Sequence, residues 1–250
     1  MGLTIGIDIG GSTTKIVGMR DGQIICSIRV RADDPVTSAY RALGKFLADN
    51  GLELGEIAEV LCTGVGSSFI QGDIYGIPTR KADEFRAIGL GGRFLSGCGD
   101  AIIVSMGTGT AFVKVEGETI CHIGGTGVGG GTLVGLCDKM LGVRGVEHIL
   151  HLAEKGSLSN VDLTIGDISK AAISNMDKET TASNFGKVSD MAAPEDLALG
   201  VCNLVFQTVG TLAAFSTRGA GMRDVVLTSN LAMVPMARKV FSDFGRAVRV

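Results

Sequence analysis

The chain has 250 residues, 23 of them basic and 26 acidic for a net charge of −3, with 45% hydrophobic and 20% charged residues. Those figures suit one large domain or two fused smaller ones around a packed core, exclude a disordered polyelectrolyte, and argue against a general nucleic-acid binder, which carries a basic excess. Glycine is the outlier: its 38 residues are about twice the usual share, while aromatic residues make up only 5% and Trp is absent, so the functional surface is expected to be bare backbone brought close to a ligand.

In chain order, the first predicted strand runs from Thr4 through Asp8 to Ile9. A turn, Gly10-Gly-Ser-Thr-Thr-Lys15, leads into Ile16-Val-Gly-Met19, and an Asp21-Gly22 turn leads into Ile24–Val30. Asp34 is placed to cap a helix that opens at Pro35, carries Val36, Tyr40, Leu43 and Leu47 on one face, and closes at Asn50-Gly51. A strand over Glu59–Gly64 ends in a polar turn, and Asp83 and Glu84 begin an apolar helix. Gly91–Gly99 is glycine-rich and is read as a hinge. The plan then recurs: Ala101–Ser105, the turn Met106-Gly-Thr-Gly-Thr110, Ala111–Val115, a Glu116-Gly117 turn and Thr119–Ile123, with a later strand, Val225–Thr228, ending at Ser229-Asn230. Between lie a glycine run, Gly124-Gly-Thr-Gly-Val-Gly-Gly-Gly131, a helix over Thr132–Met140, and a polar stretch, Val146–Asp190, without clear strands. A long helix follows from Pro194 to Gly219. The expected fold is α/β: two duplicated βββαβα halves, 1–95 and 96–250, flanking a cleft, the second carrying a helical insertion at about 146–190.

The chemistry lies in the turns. Phosphates need dense N–H donors, a cation and no Cβ atoms in the way. Gly10 and Gly11 free backbone amides, Ser12, Thr13 and Thr14 add hydroxyls, and Lys15 adds charge. Asp8, ending a buried strand, is placed to orient Mg²⁺ through its water shell. Gly107, Thr108, Gly109 and Thr110 repeat the pattern, and Gly125, Gly127, Gly129, Gly130 and Gly131 open a helix whose amides and dipole suit an anion. No Gly-Lys-Ser/Thr follows that run, so it is not a Walker A loop. Asp83 and Glu84 read either as helix-start carboxylates or as a base for an acceptor hydroxyl.

These segments, with Ala82-Asp-Glu84-Phe and Thr181-Ala-Ser-Asn-Phe-Gly186, resemble the superfamily of actin, sugar kinases and heat-shock chaperone ATPases, and within it the type II pantothenate kinases. The likeness covers nearly the whole chain in order. It implies a ribonuclease H-like fold in each half, ATP and Mg²⁺ as cofactors, phosphorylation of pantothenate on its primary hydroxyl as the first step towards coenzyme A, and a homodimer. By the same resemblance Glu84 is the catalytic glutamate and Ser229 joins the phosphate-binding residues. Thr108, Gly109, His122, Thr181, Ala182 and Asn184 fall near substrate, with Thr181–Asn184 reaching towards the partner's pantothenate. Three positions depart from the pattern. His122 stands where the family holds the pantothenate carboxylate with an arginine, and an imidazole lacks that bidentate fork. Ser105 replaces a metal-orienting aspartate frequent in the superfamily, and the chain ends at Val250, before the family's usual glycine-rich closing helix.

Alternatives are an ATPase activating an iron–sulfur dehydratase of hydroxyacyl-CoA, another small-molecule kinase of the superfamily, or a nucleotide-sensing binding protein. The first suits Asp8–Lys15 but not Met106–Thr110, and the six cysteines, none in a C-x-x-C pair, read as reduced core thiols. No secretory signal or membrane span is expected, the apolar stretch Val201–Phe215 being broken by Asn203, Gln207 and Thr208, so the expected location is the cytoplasm.

Overall fold

Alternation of apolar and small or polar residues makes β1 (Leu3–Ile9) a strand with one buried face, on which Leu3, Ile5, Ile7 and Ile9 point into a core. The structure, a computed structural model, describes residues 2–11, 13–32, 34–170, 177–242 and 248–249. The chain divides into two compact units, Met1–Gly91 and Gly92–Val250.

In the first unit, β2 (Thr13–Arg20) and β3 (Gln23–Arg31) continue β1 as an antiparallel meander. The helix α1 (Pro35–Asn50) begins with the Asp34 carboxylate accepting from the Thr37 amide at 2.8 Å and ends at Gly51, whose φ of 62° is left-handed. β4 (Ile57–Thr63) and β5 (Thr79–Lys81) add in parallel beyond β1, giving the order β3-β2-β1-β4-β5, and α2 (Glu84–Ser96) follows. The buried face of α1 keeps the expected Leu43 and Leu47, with Tyr40 partly buried against the same core, and adds Ala39, Ala42 and Phe46, while Val36 is exposed. The alanines let the helix lie close to the sheet, and Phe46 fills the space above Gly18, where a Cβ would come 2.5 Å from its ring.

The second unit repeats the topology. β6 (Ala101–Met106), β7 (Thr110–Glu116) and β8 (Thr119–Thr126) form the meander. Then come α3 (Gly130–Leu141), α4 (Val146–Ala153), β9 (Leu163–Thr164), α5 (Ile165–Ile168), β10 (Thr181–Ser183) and α6 (Pro194–Ala220). β11 (Val225–Thr228), α7 (Pro235–Ser242) and β12 (Val248–Arg249) close the sheet in the order β12-β11-β6-β7-β8, the mirror listing of the first. α6 supplies Val201, Val205, Phe206 and Val209 to a core shared with Leu133, Cys137, Ile149 and the buried face of β6.

Two expectations change. The insertion is not purely helical, because β9 and β10 pair as an antiparallel ribbon. Of the glycines in the expected hinge, Gly91 and Gly92 lie inside α2, where the boundary between the units falls, and Gly97 and Gly99 lie after it; a Cβ at Gly92 would meet Ile103 at 2.6 Å, so close packing is what that glycine permits. The helix α6 is long and apolar enough to cross a membrane by length and composition, yet Val201, Cys202, Val205, Phe206 and Val209 on it are buried in the protein core. All six cysteines are free; Cys62, Cys98, Cys137 and Cys202 are buried, and burial pushes the Cys62 thiol up to about 11 and that of Cys202 to about 12.

Candidate active site

In the first unit the ladder register sets the chemistry. Asp8 pairs with Lys15 across the antiparallel β1–β2 ladder and with Thr63 across the parallel β1–β4 ladder, so the three side chains share one face at the strand ends. Lys15 Nζ lies 2.7 Å from Asp8 Oδ2, both half-exposed. The Gly10 amide, expected to face an anion, instead donates to the Thr13 carbonyl at 3.1 Å, while Gly11 is exposed. Ser12 lies outside the described residues. Gly64, directly after β4, has φ 85° and ψ 163°, and a Cβ there would stand 2.5 Å from Asp8 Oδ1, so only glycine lets this loop pass the carboxylate. Among the described residues, the hydroxyls of Thr14 and Thr63 are buried without a hydrogen-bond partner.

The two carboxylates at the start of α2 separate in role. Asp83 Oδ1 accepts from the Arg86 amide at 2.7 Å and caps the helix. Glu84, the first helical residue, keeps solvent access, yet partial burial raises its pKa. The nearby charge of Asp8 pushes the same way and Lys15 opposes it. Asp8, Lys15 and Glu84 therefore form one electrostatic group.

In the second unit, Gly107, Thr108 and Gly109 form the turn between β6 and β7, and Thr110 starts β7 with its hydroxyl donating to the Val128 carbonyl at 2.8 Å. The glycine run is clamped on this turn: the amides of Gly130 and Gly131 each donate over 2.8 Å to the carbonyls of Gly107 and Thr108. A Cβ at Gly129 would stand 2.8 Å from the Thr108 oxygen, and one at Gly125 2.9 Å from that of Thr110. Two amides expected to face an anion are thus committed to the hairpin, and these glycines serve close approach of backbone to backbone. Gly127 lies exposed in the same loop. Ser229 follows β11 with φ 82° and ψ 172°, and its hydroxyl lies 3.3 Å from that of Ser105. His122 sits exposed on β8, opposite Val113.

Thr181 and Ala182 lie on β10 and Asn184 in the turn after it. Sequence reading missed what holds them: Asp162, fully buried before β9, accepts from the Phe185 amide at 2.9 Å and from Asn203 Nδ2 on α6 at 2.7 Å. The only local signal was an acid between apolar residues, Val161-Asp162-Leu163.

The Fumble family model matches residues 38–238. The chain belongs to the Fumble family. It is 29% identical over 219 residues to a type II pantothenate kinase of Bacillus cereus (strain G9842), covering 84% of this chain and 77% of that protein. It is 30% identical over 137 residues to pantothenate kinase 2 of Arabidopsis thaliana, covering 50% of this chain and 15% of that one. Among solved structures, the activator of the 2-hydroxyisocaproyl-CoA dehydratase from Clostridium difficile with bound ADPNP superposes with a TM-score of 0.68 at 18% identity, covering 97% of this chain and 85% of that one. That likeness shows the fold, which is the actin-like ATPase fold expected from the duplicated hairpins.

Proposed function

We propose that this Fumble-family protein is a kinase transferring the terminal phosphoryl group of ATP to the primary hydroxyl of pantothenate, the opening step of coenzyme A synthesis. Family membership and the named relatives support the reaction, and the observation that carries the residue assignment is the Asp8–Lys15–Glu84 group. Phosphoryl transfer is mostly positioning and charge neutralisation, so a cation beside bare turn backbone is the required equipment. Lys15 and the Gly10–Thr13 turn meet phosphate in the first unit, with Ser12 assigned from sequence. Gly107–Thr110 and Ser229 meet it in the second, with Gly125–Gly131 shaping the loop. Glu84, whose pKa partial burial and the Asp8 charge raise, takes the acceptor's proton.

Mg²⁺ fits this corner. Asp8 offers a carboxylate, and the orphaned Thr63 hydroxyl on the same face is a ready partner for a metal-bound water. Among the described residues no three His, Cys, Asp or Glu side chains form a cage, so the ion would be held by Asp8 through water. When bound it neutralises charge on the transferred group. Thr108, Gly109, His122, Thr181, Ala182 and Asn184 are assigned to the acceptor, and the protein is assigned as a cytoplasmic homodimer with a small-molecule partner rather than nucleic acid or membrane.

A coupled assay of ADP release tests the reading. Release should depend on pantothenate and not on other small hydroxy acids or sugars. Release indifferent to acceptor would overturn it.

A further inference from the structure

We propose that Asp162 is a positioning residue for acceptor recognition: it fixes the hydrogen-bond polarity of Thr181 and Asn184, making their side chains an acceptor surface that selects substrate N–H or O–H groups. The inference deepens the proposed function and rests on the assignment of Thr181–Asn184 to the acceptor.

Asp162 is 0% exposed. A carboxylate buried so completely loses its hydration and must recover it from fixed donors. Here Oδ1 takes the Phe185 amide at 2.9 Å. Oδ2 takes Asn203 Nδ2 at 2.7 Å, Asn184 Nδ2 at 3.3 Å and the Thr181 hydroxyl at 3.4 Å. These donors come from β10, from the turn after it, and from α6, so one carboxylate ties the segment to the long core helix. Phe185, held at φ 57°, completes the tie by resting over Gly200, where a Cβ would lie 3.1 Å from its ring.

An ionised carboxylate only accepts, and that asymmetry propagates outward. Asn184 must turn its NH₂ inward, where Gln207 Oε1 at 3.5 Å also receives it. Its carbonyl oxygen is the group left for a ligand. Thr181 spends its hydroxyl proton on Asp162 and one lone pair on Asn203 Nδ2 at 3.3 Å, leaving one lone pair. Both residues therefore present acceptors. A substrate carboxylate finds no donor on these two side chains, whereas an amide N–H or a hydroxyl finds two acceptors. On a pantothenate-like acceptor, this segment faces the hydroxyl and amide portion and not the acid end.

The test compares full-length wild type and Asp162→Asn with pantothenate and with its ester analogue, in which oxygen replaces the amide N–H. The substitution keeps the shape, but its own carboxamide can donate, so the polarity of Asn184 is released. In wild type, kcat/KM should favour the amide by at least about tenfold, the worth of one well-made hydrogen bond. In Asp162→Asn that preference should collapse towards one, the KM for pantothenate should rise about tenfold, and the KM for ATP should stay within about twofold. Hydrogen exchange at the Phe185 amide, measured without ligand, should accelerate. If Asp162→Asn does not fold, Asn203→Ser, which removes the 2.7 Å donor, should show the same split in smaller measure. A variant that melts earlier but keeps the amide preference and pantothenate KM would overturn the proposal, as would unchanged exchange at Phe185. Absence of pantothenate turnover in wild type would instead overturn the acceptor assignment, while the exchange measurement still decides the anchoring.

Discussion

The two units share a sheet order and a ladder register but differ in what the register displays. In the first, Asp8 faces Lys15 on one side and Thr63 on the other. In the second, the equivalent Ser105 faces Ala111 and Thr228. The strand that follows each site then turns through the same rare backbone, with φ 85° and ψ 163° at Gly64 and φ 82° and ψ 172° at Ser229. The same backbone geometry thus occurs in both units, while the charge occurs in one. On the proposed assignment, phosphate would meet an ion pair in the first unit and hydroxyls with turn backbone in the second. Phosphoryl transfer tolerates that division, since it asks for charge at one locus and shape at the other.

If the charged corner of the first unit carries the proton transfer, breaking it should dominate every other effect. Glu84→Gln should lower turnover by roughly 10²–10⁴-fold, the range for loss of a general base, while ATP affinity measured by calorimetry stays nearly unchanged. Unaltered turnover would remove Glu84 from the mechanism and the asymmetry between the units with it. The next effect belongs to the shared turn. Gly64→Ala places a Cβ 2.5 Å from Asp8 Oδ1 and 2.7 Å from the Ile9 carbonyl at a backbone angle that resists side chains. It should cost about 2 kcal/mol in urea unfolding and displace Asp8, lowering activity as well.

A subtler effect separates the units by charge alone. Glu84 has its pKa raised first by burial and then by Asp8, with Lys15 pulling it back. Asp8→Asn removes a negative neighbour and should lower the Glu84 pKa, and Lys15→Met removes a positive one and should raise it further. A base works when deprotonated, so the acid limb of kcat/KM should move to lower pH in the first variant and to higher pH in the second. Carboxyl-selective NMR titration of the free protein reads the same shifts without turnover. Ser105→Ala removes no charge and should leave the Glu84 titration where it was; a shift there would contradict the ionic division.

What was legible beforehand was local. Alternating β1, the Asp34 cap, and the turns at Asp21-Gly22 and Glu116-Gly117 all follow from neighbours in sequence, and the internal echo of two meanders made the duplicated fold readable. The missed features depend on distant partners. Nothing near Gly130 and Gly131 announces that carbonyls of Gly107 and Thr108 will take their amides. β9 and β10 have two and three residues, too short for alternation to show. Asp162, an acid between Val161 and Leu163, gives no sign of its partners until α6 brings Asn203 against it. On α1 the expected Leu43, Leu47 and partly buried Tyr40 do meet the core, but Val36 does not, and Ala39, Ala42 and Phe46 went unnoticed because bulk at regular spacing was weighed over close fit.

The smallest effect sharpens the comparison at its most symmetrical point. Ser229 occupies a backbone region that is nearly exclusive to glycine, as Gly64 does in the first unit, so its Cβ is held under strain. Its hydroxyl meets that of Ser105 at 3.3 Å, a neutral contact between two partly exposed groups whose net worth offsets only part of that strain. Ser229→Gly should therefore stabilise the protein by about 1 kcal/mol, raising Tm by about 2–4 °C for a chain of this size. It should also weaken ATP binding by several-fold, since the hydroxyl assigned to phosphate is gone. Gain in Tm with loss of ATP affinity would mean that the strain holds a ligand-facing hydroxyl in place. Gain in Tm with unchanged affinity would mean that glycine is simply the better residue at both turns, and that the second unit meets phosphate through its hairpin alone.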